Sequence, residues 1–178
     1  ALLEDLGEQG DVTSQLIFDS DETAQGTFLS KDSGLLAGGP ILERLFNKID
    51  PEIQILRLLP DGTPLTPGRV FCSVEGPVIS LLTAERTALN ILQRLSGIAT
   101  MARAFRDKIS NFPQVMIVDT RKTTPGLRVL EKYAVRVGGG KNHRFGLSDT
   151  IMIKDNHIKA AGGIRQAVDK VRQKIGHT

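Results

Sequence analysis

The chain has 178 residues, of which 40% are hydrophobic and 24% are charged, and its formal net charge is +3. This composition is ordinary for one or two globular domains, and no apolar run approaches the roughly 20 residues that span a bilayer. With no tryptophan and one tyrosine, an aromatic surface for stacking single-stranded nucleic acid is not expected. The single cysteine, Cys72, permits no internal disulfide and predicts a reducing, cytoplasmic environment.

The first part of the chain has the pattern of a small open sheet with helices on one face. The run from Asp11 to Ser14 is predicted to cap a short helix, because its side-chain oxygens can accept hydrogen bonds from free backbone N–H groups. Pro40 is predicted to lie in the first turn of a helix over residues 41–49. Strand-forming residues separated by Gly, Pro and Asp turns predict strands at residues 24–31, 35–37, 53–59 and 69–75.

From residue 81 the apolar residues recur at helical spacing and form a stripe over residues 81–95. The polar side chains that fall on the opposite face of this helix are Arg86, Asn90 and Gln93. Gly97 is predicted to interrupt the helix, and a second helix is expected over residues 99–109. Helical spacing of apolar residues returns over residues 164–175 and predicts the last helix.

Two short apolar runs, residues 116–118 and 151–153, are each followed directly by charged residues. Continuous apolar runs of this length are typical of parallel strands buried on both faces. Asp119 and Asp155, which follow them, are far enough apart in sequence for one strand–helix–strand unit. Residues just past the carboxyl ends of such strands form the active site in α/β folds, so the two runs predict a shared functional rim.

The basic segment, residues 119–157, contains eight Lys and Arg residues against four Asp and Glu, whereas the whole chain has 23 against 20. A local excess of cations among glycines and turn residues predicts an anion site. The strand arrangement would bring Arg121, Lys122 and Lys154 to one rim of that site. The three glycines at 138–140 fit either a flexible turn or a backbone nest for phosphate, and the sequence leaves both interpretations open.

Four long stretches carry the motifs of a known family, in the order expected of it. They are ERTALNILQRLSGIAT at 85–100, DTRKTTPGLR at 119–128, EKYAVRVGGGKNHR at 131–144 and GLSDTIMIKDNHI at 146–158. In these stretches the chain closely resembles quinolinate phosphoribosyltransferase, the decarboxylating nicotinate-nucleotide pyrophosphorylase of NAD synthesis. GDVTS at 10–14 and LLAGG at 35–39 fit the same family, so the resemblance covers nearly the whole chain.

The resemblance implies an α/β fold in two parts. Residues 1–110 would form an N-terminal α+β open-sheet sandwich domain, and residues 111–178 the first part of a β/α-barrel domain. The barrel of the family continues well beyond the position of Thr178, and two or three βα units cannot close a barrel. The chain is therefore expected to be a truncated form, trimmed at both ends.

The resemblance also implies a substrate site. Arg86, Arg121 and Arg144 would hold the two carboxylates of quinolinate, because the guanidinium fork makes paired hydrogen bonds with a carboxylate. Lys122 and Lys154 would face the phosphates of phosphoribosyl pyrophosphate, and they are the predicted catalytic residues through charge stabilisation. The substrate-binding residues that the resemblance implies are Arg86, Thr120, Arg121, Lys122, His143, Arg144 and Lys154.

The resemblance further implies a homodimer in which Arg86 is contributed to the neighbouring site. Mg²⁺ is expected to accompany phosphoribosyl pyrophosphate, although no ligand set for it is identifiable in this chain. Two alternatives stay open: a non-catalytic anion-binding or dimerising fragment, and a family relative that acts on another aromatic acid. Nucleic-acid binding is disfavoured, because the basic residues alternate with predicted buried strands and do not form a continuous stripe.

Overall fold

The computed structural model describes residues 1–175, and it contains two compact units, residues 1–143 and the residues from Arg144 onward. The helices are α1 (Leu2–Leu6), α2 (Val12–Ile17), α3 (Gly39–Ile49), α4 (Val78–Lys108), α5 (Arg128–Val137), α6 (Asp155–Ala161) and α7 (Ile164–Lys174). The strands are β1 (Thr23–Leu29), β2 (Gly34–Leu35), β3 (Gln54–Leu58), β4 (Pro64–Leu65) and β5 (Val70–Pro77). The mixed α/β class is confirmed, and the domain division predicted between residues 110 and 111 stays a prediction.

Strand β5 is the centre of the larger sheet and pairs antiparallel with β1 on one side and β3 on the other. Its alternate residues Cys72, Val74 and Gly76 are buried, whereas Glu75 between them is exposed, as expected of a strand with one face in the core. The smaller sheet pairs β2 with β4. Strands β1, β2, β3 and β5 confirm the four predicted strands, with ends that differ by a few residues.

Helices α3 and α4 cover the apolar face of the larger sheet. Leu42 and Phe46 of α3 are one helical turn apart and are buried, and Ala88 and Leu92 of α4 have the same spacing. All four belong to one core cluster with Val74 of the sheet. Burying a large apolar side chain contributes roughly 1.5–3 kcal/mol relative to leaving it exposed. The predicted sheet with helices on one face thus forms the larger of the two core clusters in the first unit.

Helix α4 runs without a break through Gly97, so the predicted interruption and the separate helix over residues 99–109 are wrong. Gly97 is exposed, and nothing lies within 4 Å of where its Cβ would be. A glycine inside a helix costs roughly 1 kcal/mol relative to alanine. The burial of Leu95 on one side and Ala99 on the other outweighs that cost. The 31-residue helix therefore contributes to both core clusters.

The two predicted buried strands are absent from the part of the chain that the structure describes. Residues 116–118 make one parallel bridge, in which Lys141 N donates to Ile117 O at 2.8 Å and Asp119 N donates to Lys141 O at 3.0 Å. Residues 151–153 form no strand. An apolar run becomes a parallel strand only where neighbouring strands pair with it, and hydrophobic periodicity does not encode those partners.

Helix α5 packs on the C-terminal half of α4. Ala134 is fully buried in a core cluster with Ala99 of α4. Gly138, which follows α5 directly, approaches α4 so closely that a Cβ on it would lie 2.6 Å from Ala102 Cβ. Only glycine fits at this approach, and the packing fixes α5 relative to α4 within the first unit.

The second unit contains α6 and α7, which pack against each other. Helix α6 ends at Gly162, whose φ of 92° is a left-handed conformation that glycine adopts readily. The helix predicted over residues 164–175 is confirmed as α7, and Ala167 on its apolar face is buried. Among the helices that the structure describes in either unit, none has the length and apolar character needed to cross a membrane.

Candidate active site

The carboxylate of Asp119 joins two parts of the first unit that are distant in sequence, residues 119–124 (the Arg121 segment) and residues 141–143 (the His143 segment). Asp119 Oδ1 accepts hydrogen bonds from Lys132 Nζ at 2.5 Å and from His143 N at 2.8 Å. Lys132 Nζ also donates to His143 O at 3.1 Å. The Lys132 and Asp119 side chains are only 4% and 7% exposed. Buried charges need partners, and here the partners hold the two segments together.

Glu131, the residue before Lys132, holds the other end of the Arg121 segment. Its Oε2 accepts a hydrogen bond from Thr124 N at 3.1 Å, and its Oε1 accepts one from Arg94 Nε at 2.9 Å. Arg94 also donates to Thr124 Oγ1. Burial opposes ionisation of the Glu131 carboxyl, but the hydrogen bonds from Arg94 and Thr124 outweigh it, so the pKa of Glu131 is lowered. Glu131 is therefore a carboxylate whose charge Arg94 neutralises.

Arg121 and Lys122 carry positive charge that forms no ion pair among the residues of the first unit. Arg121 Nε is buried and has no hydrogen-bond partner within residues 1–175. The Lys122 side chain is exposed, while its backbone N donates to Thr120 Oγ1 at 3.1 Å. Because the nearby acids Asp119 and Glu131 are already paired, both cations remain available to an anionic ligand.

The ion pair between Asp119 and Lys132 also brings some of the predicted site residues together. The predicted site residues that lie in this region of the first unit are Thr120, Arg121, Lys122 and His143. The His143 side chain is exposed, and the contacts to Asp119 and Lys132 use its backbone N and O and do not involve the imidazole. The roles of these residues in substrate binding stay predictions.

Arg86 lies on the exposed face of α4, and Ala84 and Ala88 on the opposite face are buried, as predicted. Within the described part of the first unit, no hydrogen bond or ion pair joins Arg86 to the Arg121 segment. Further along α4 is an open depression of about 570 Å³. The residues that line it are Asn90, Gln93, Arg94, Gly97, Ile98 and Met101.

Arg144 lies in the second unit, where its Nη1 donates to Thr150 O at 2.7 Å. The loop between these residues is organised by Asp149, whose Oδ2 accepts hydrogen bonds from Gly146 N at 3.0 Å and Phe145 N at 2.6 Å. These backbone hydrogen bonds hold the pKa of Asp149 below its usual range. Arg144 is half-buried, and its Nη1 is committed to the hydrogen bond with the loop.

Lys154 also belongs to the second unit and directly precedes α6. Its side chain is exposed, and its backbone N donates to His157 Nδ1 at 3.0 Å. His157 therefore orients the first turn of α6, a role consistent with its absence from the predicted site residues. Lys154 makes no ion pair in the described part of the second unit.

The three glycines at 138–140 form a turn and not a phosphate nest. Each of their N–H groups donates to a backbone carbonyl of α5 at 2.9–3.0 Å. The first of them, Gly138, is the C-cap of that helix. Because all three donors already satisfy the carbonyls at the helix end, none is left for an anion, so the nest interpretation is wrong.

Sequence reasoning missed Arg94, Glu131 and Lys132 as residues of this region. Charged residues in a helix are normally exposed, so the pattern gave no reason to bury two of them side by side. The signal that could have marked Glu131 is its spacing from the buried Ala134. Residues three apart share one face of a helix, which places this carboxylate on the apolar side of α5.

Among residues 1–175, no three His, Cys, Asp or Glu side chains lie close enough together to bind a metal ion. Asp119, which belongs to the Arg121 segment, and Glu131, which contacts that segment, are each bound to a cation. Magnesium takes oxygen ligands, chiefly carboxylates and phosphates. The described residues therefore do not fit a magnesium site built from this chain's own side chains.

The chain matches one protein family over nearly its whole length. Residues 11–96 match the N-terminal domain of quinolinate phosphoribosyl transferase, and residues 98–178 match the C-terminal domain. A probable nicotinate-nucleotide pyrophosphorylase (carboxylating) of Bacillus subtilis is 50% identical over 175 residues, which cover 98% of this chain and 60% of the relative. A quinolinate phosphoribosyltransferase (decarboxylating) of Nicotiana tabacum is 44% identical over 173 residues, covering 97% of this chain and 49% of the relative.

Solved structures give the same result. The crystal structure of NadC from Streptococcus pyogenes matches with a TM-score of 0.91 and 45% identity, covering 98% of this chain and 62% of the other. A nicotinate-nucleotide pyrophosphorylase from Ehrlichia chaffeensis matches with a TM-score of 0.93 and 39% identity, covering 99% of this chain and 64% of the other. The chain spans about three fifths or less of the length of the curated relatives it matches. By its two domain matches and these relatives, the chain belongs to the quinolinate phosphoribosyl transferase family.

Proposed function

We propose that this protein is a phosphoribosyltransferase that converts quinolinate and phosphoribosyl pyrophosphate to nicotinate mononucleotide, carbon dioxide and pyrophosphate, in de novo NAD synthesis. The observation that carries the proposal is the state of charge around the Arg121 segment. Arg121 and Lys122 form no ion pair there, whereas Asp119 and Glu131 are both neutralised by other cations. Such a site is prepared for a ligand with several negative charges.

Quinolinate fits this chemistry because its two carboxylates are adjacent on a planar ring. Arg121, with its buried Nε lacking a partner among the described residues, would form paired hydrogen bonds with one of them. Thr120, His143 and Arg144 are proposed as further quinolinate-binding residues, as the resemblance to the family implies. Lys122 and Lys154, whose side chains are exposed, would face the phosphates of the second substrate.

The reaction makes two bonds and breaks two. The pyridine nitrogen attacks C1′ of the ribose, and pyrophosphate leaves with the electron pair of its bond to C1′. The ribose carbon is electron-poor in the transition state, and Lys122 and Lys154 would stabilise the charge on the departing pyrophosphate. The carboxylate next to the ring nitrogen then leaves as carbon dioxide, and the ring carbon takes up a proton. No side-chain nucleophile is needed, because positioning and charge stabilisation supply the rate.

The active form is proposed to be a homodimer in which Arg86 enters the site of the neighbouring subunit. Arg86 supports this because it is exposed on a helix whose other face is buried in its own unit. An arginine that covers a neighbouring site would exclude water and strengthen the charge interactions inside it. The exposed polar residues Asn90 and Gln93 would then lie in the interface.

The barrel fold, the metal ion and the cellular location are also proposals. Residues 111–178 are proposed to be the first part of a β/α barrel, which the parallel bridge between Val118 and Lys141 supports. Mg²⁺ is proposed to accompany phosphoribosyl pyrophosphate, whose phosphate oxygens would be its ligands. A cytoplasmic location is proposed because the single cysteine, Cys72, is buried and unpaired in the structure.

The test is to incubate the protein with quinolinate, phosphoribosyl pyrophosphate and Mg²⁺, and to measure nicotinate mononucleotide by mass spectrometry. Product should form only when both substrates are present. The Arg121→Ala variant should lose product, and the matched control Arg165→Ala should not, because Arg165 is 93% exposed on α7. Quinolinate binding without any turnover would contradict catalysis by this chain and leave a non-catalytic anion-binding role.

A further inference from the structure

Three consecutive residues of α5, Glu131, Lys132 and Tyr133, each make a polar contact with a residue distant in sequence. Glu131 contacts Arg94 and the Arg121 segment, and Lys132 contacts Asp119 and the His143 segment. The Tyr133 hydroxyl donates to Asp61 Oδ2. These residues lie within one of the family's motifs, but none of them belongs to the substrate site proposed above.

Tyr133 and its neighbour Ala134 fix the helix itself. Asp61, which accepts the Tyr133 hydrogen bond, also accepts from Gly38 N at 2.9 Å and Gly39 N at 3.0 Å, at the start of α3. Ala134 is fully buried against α4. Helix α5 is thereby packed directly on α4 and linked to the start of α3 through Asp61, which makes it a support for the two segments around it.

Glu131 and Lys132 are the points at which those segments contact the support. Glu131 Oε2 accepts from a backbone N–H of the Arg121 segment, and Lys132 Nζ donates to a backbone carbonyl of the His143 segment. Both side chains are buried, and the residues are 7% and 3% exposed. The contacts act on the main chain of both segments, so they determine where the exposed side chains emerge.

We propose that Glu131 and Lys132 are positioning residues that hold the Arg121 and His143 segments in one fixed arrangement for the anionic substrate. The inference rests on the proposed function for the identity of that substrate. Binding groups must be held within about 0.5 Å of their productive positions, and displacement by about 1 Å can cost on the order of a hundredfold in rate. Neither residue needs to touch the substrate to have that effect.

The first measurement needs no ligand. Hydrogen exchange followed by mass spectrometry is recorded for the wild-type protein and for Lys132→Met and Glu131→Gln. Lys132→Met should raise exchange in both segments, and the milder Glu131→Gln should raise it mainly in the Arg121 segment. The control is Leu42→Ala, which creates a cavity in the separate core cluster under α3 and destabilises the unit without contacting either segment.

A purely structural role predicts the same exchange pattern for Lys132→Met and Leu42→Ala. If both variants raise exchange across the whole first unit without preference for the two segments, the positioning role is overturned. If Lys132→Met does not fold, the milder Glu131→Gln still tests the proposal, because it keeps the shape of the side chain and removes only its charge.

The second measurement is quinolinate affinity by calorimetry. Lys132→Met should weaken binding by about tenfold or more, since misplacement of binding groups is costly, and Leu42→Ala should leave affinity within about twofold. The double variant Asp119→Asn with Lys132→Met removes the unpaired buried charge, so its thermal stability should recover while its affinity stays low. Recovery of affinity together with stability would overturn the proposal.

The two measurements separate this proposal from the proposed function. If the wild-type protein does not bind quinolinate but exchange rises in the two segments as expected, the function is wrong and the positioning role stands. If quinolinate binds the wild-type protein and the variants equally, the function stands and the positioning role is wrong.

Discussion

Lys132 Nζ lies 2.5 Å from Asp119 Oδ1, and neither side chain is more than 7% exposed. Salt in bulk solution screens such a buried pair much less than an exposed one. Removing one partner would leave an uncompensated buried charge, which typically costs about 3–5 kcal/mol. The pair therefore commits Lys132 to a contact within the protein and distinguishes it from exposed lysines of the basic segment such as Lys122 and Lys154.

Arg121→Lys should weaken quinolinate binding roughly tenfold or more. The substitution keeps the positive charge but removes the paired geometry of the guanidinium, and a hydrogen bond to a charged group contributes about 1.5–3 kcal/mol. Calorimetry with quinolinate measures the effect. Arg165→Lys, on the exposed surface of α7, is the matched control and should bind like the wild type. Unchanged affinity in Arg121→Lys would remove Arg121 from the site.

The site should prefer quinolinate to nicotinate. Nicotinate lacks one of the two carboxylates, so an arginine arranged for that group would be left desolvated and without a partner. Competition calorimetry with the two acids, in the same buffer and at the same ionic strength, measures the preference. Equal affinities would contradict the quinolinate assignment and favour a family relative that acts on a monocarboxylic acid.

Mixing Arg86→Ala with Arg121→Ala should restore activity that each variant lacks alone. In a mixed dimer with shared sites, one site contains both Arg86 and Arg121, and the other site has alanine at both positions. Half of the dimers are mixed after full exchange, so activity should approach a quarter of the wild-type value. Native mass spectrometry confirms the exchange. If mixed dimers form and remain inactive, Arg86 does not act in the neighbouring subunit.

Gly138→Ala and Gly97→Ala should change stability in opposite directions. A Cβ on Gly138 would lie 2.6 Å from Ala102 Cβ and even closer to Ala99 O, so α5 would have to move away from α4. Overpacking of this kind costs roughly 1–3 kcal/mol. Gly97 has nothing within 4 Å of its Cβ position, so alanine there should stabilise α4 by about 0.5–1 kcal/mol. Urea unfolding measures both, and a loss of stability in both variants would contradict this account of α4.

Protonation of Glu131 should make the first unit less stable in acid. Its pKa in the folded protein is lower than the value of 4.5 for an unperturbed side chain. Its ionised form therefore contributes stability that is fully present above that unperturbed value and is lost as the pH falls through the lowered pKa. The free energy of unfolding should thus differ most between wild type and Glu131→Gln near neutral pH, and less in acid. A difference that does not change with pH would show that ionised Glu131 has no stabilising role.

Local patterns predicted the parts of the fold that depend on neighbours in sequence. Asp11 accepts a hydrogen bond from Ser14 N and caps α2, as the run of capping residues indicated. The buried positions of Ala84, Ala88 and Leu92 follow from helical spacing alone. Such features need no knowledge of the rest of the chain, which is why a single sequence is sufficient for them.

Contacts between distant residues could not be predicted in this way. The ion pair of Lys132 with Asp119 depends on α5 folding back against α4, and nothing in the spacing of charges encodes that approach. The same limit applies to residues 116–118, whose apolar character does not reveal whether strands will pair with them. For the candidate site, spacing predicted an anion site near Arg121 and Lys122, and tertiary packing decides how those residues are held.

Because α4 runs unbroken from Val78 to Lys108, it fixes the distance and the angle between Arg86 and Arg94. Their separation is about 12 Å along the helix axis and about 80° around it, given the rise and turn of an α-helix. Arg94 donates a hydrogen bond to Glu131, so this position of α4 is attached to the helix that supports the Arg121 segment. A single residue inserted between Arg86 and Arg94 would turn Arg86 by about 100° relative to that support. In the proposed homodimer, Arg86 would then no longer point toward the neighbouring site, however well each subunit folds.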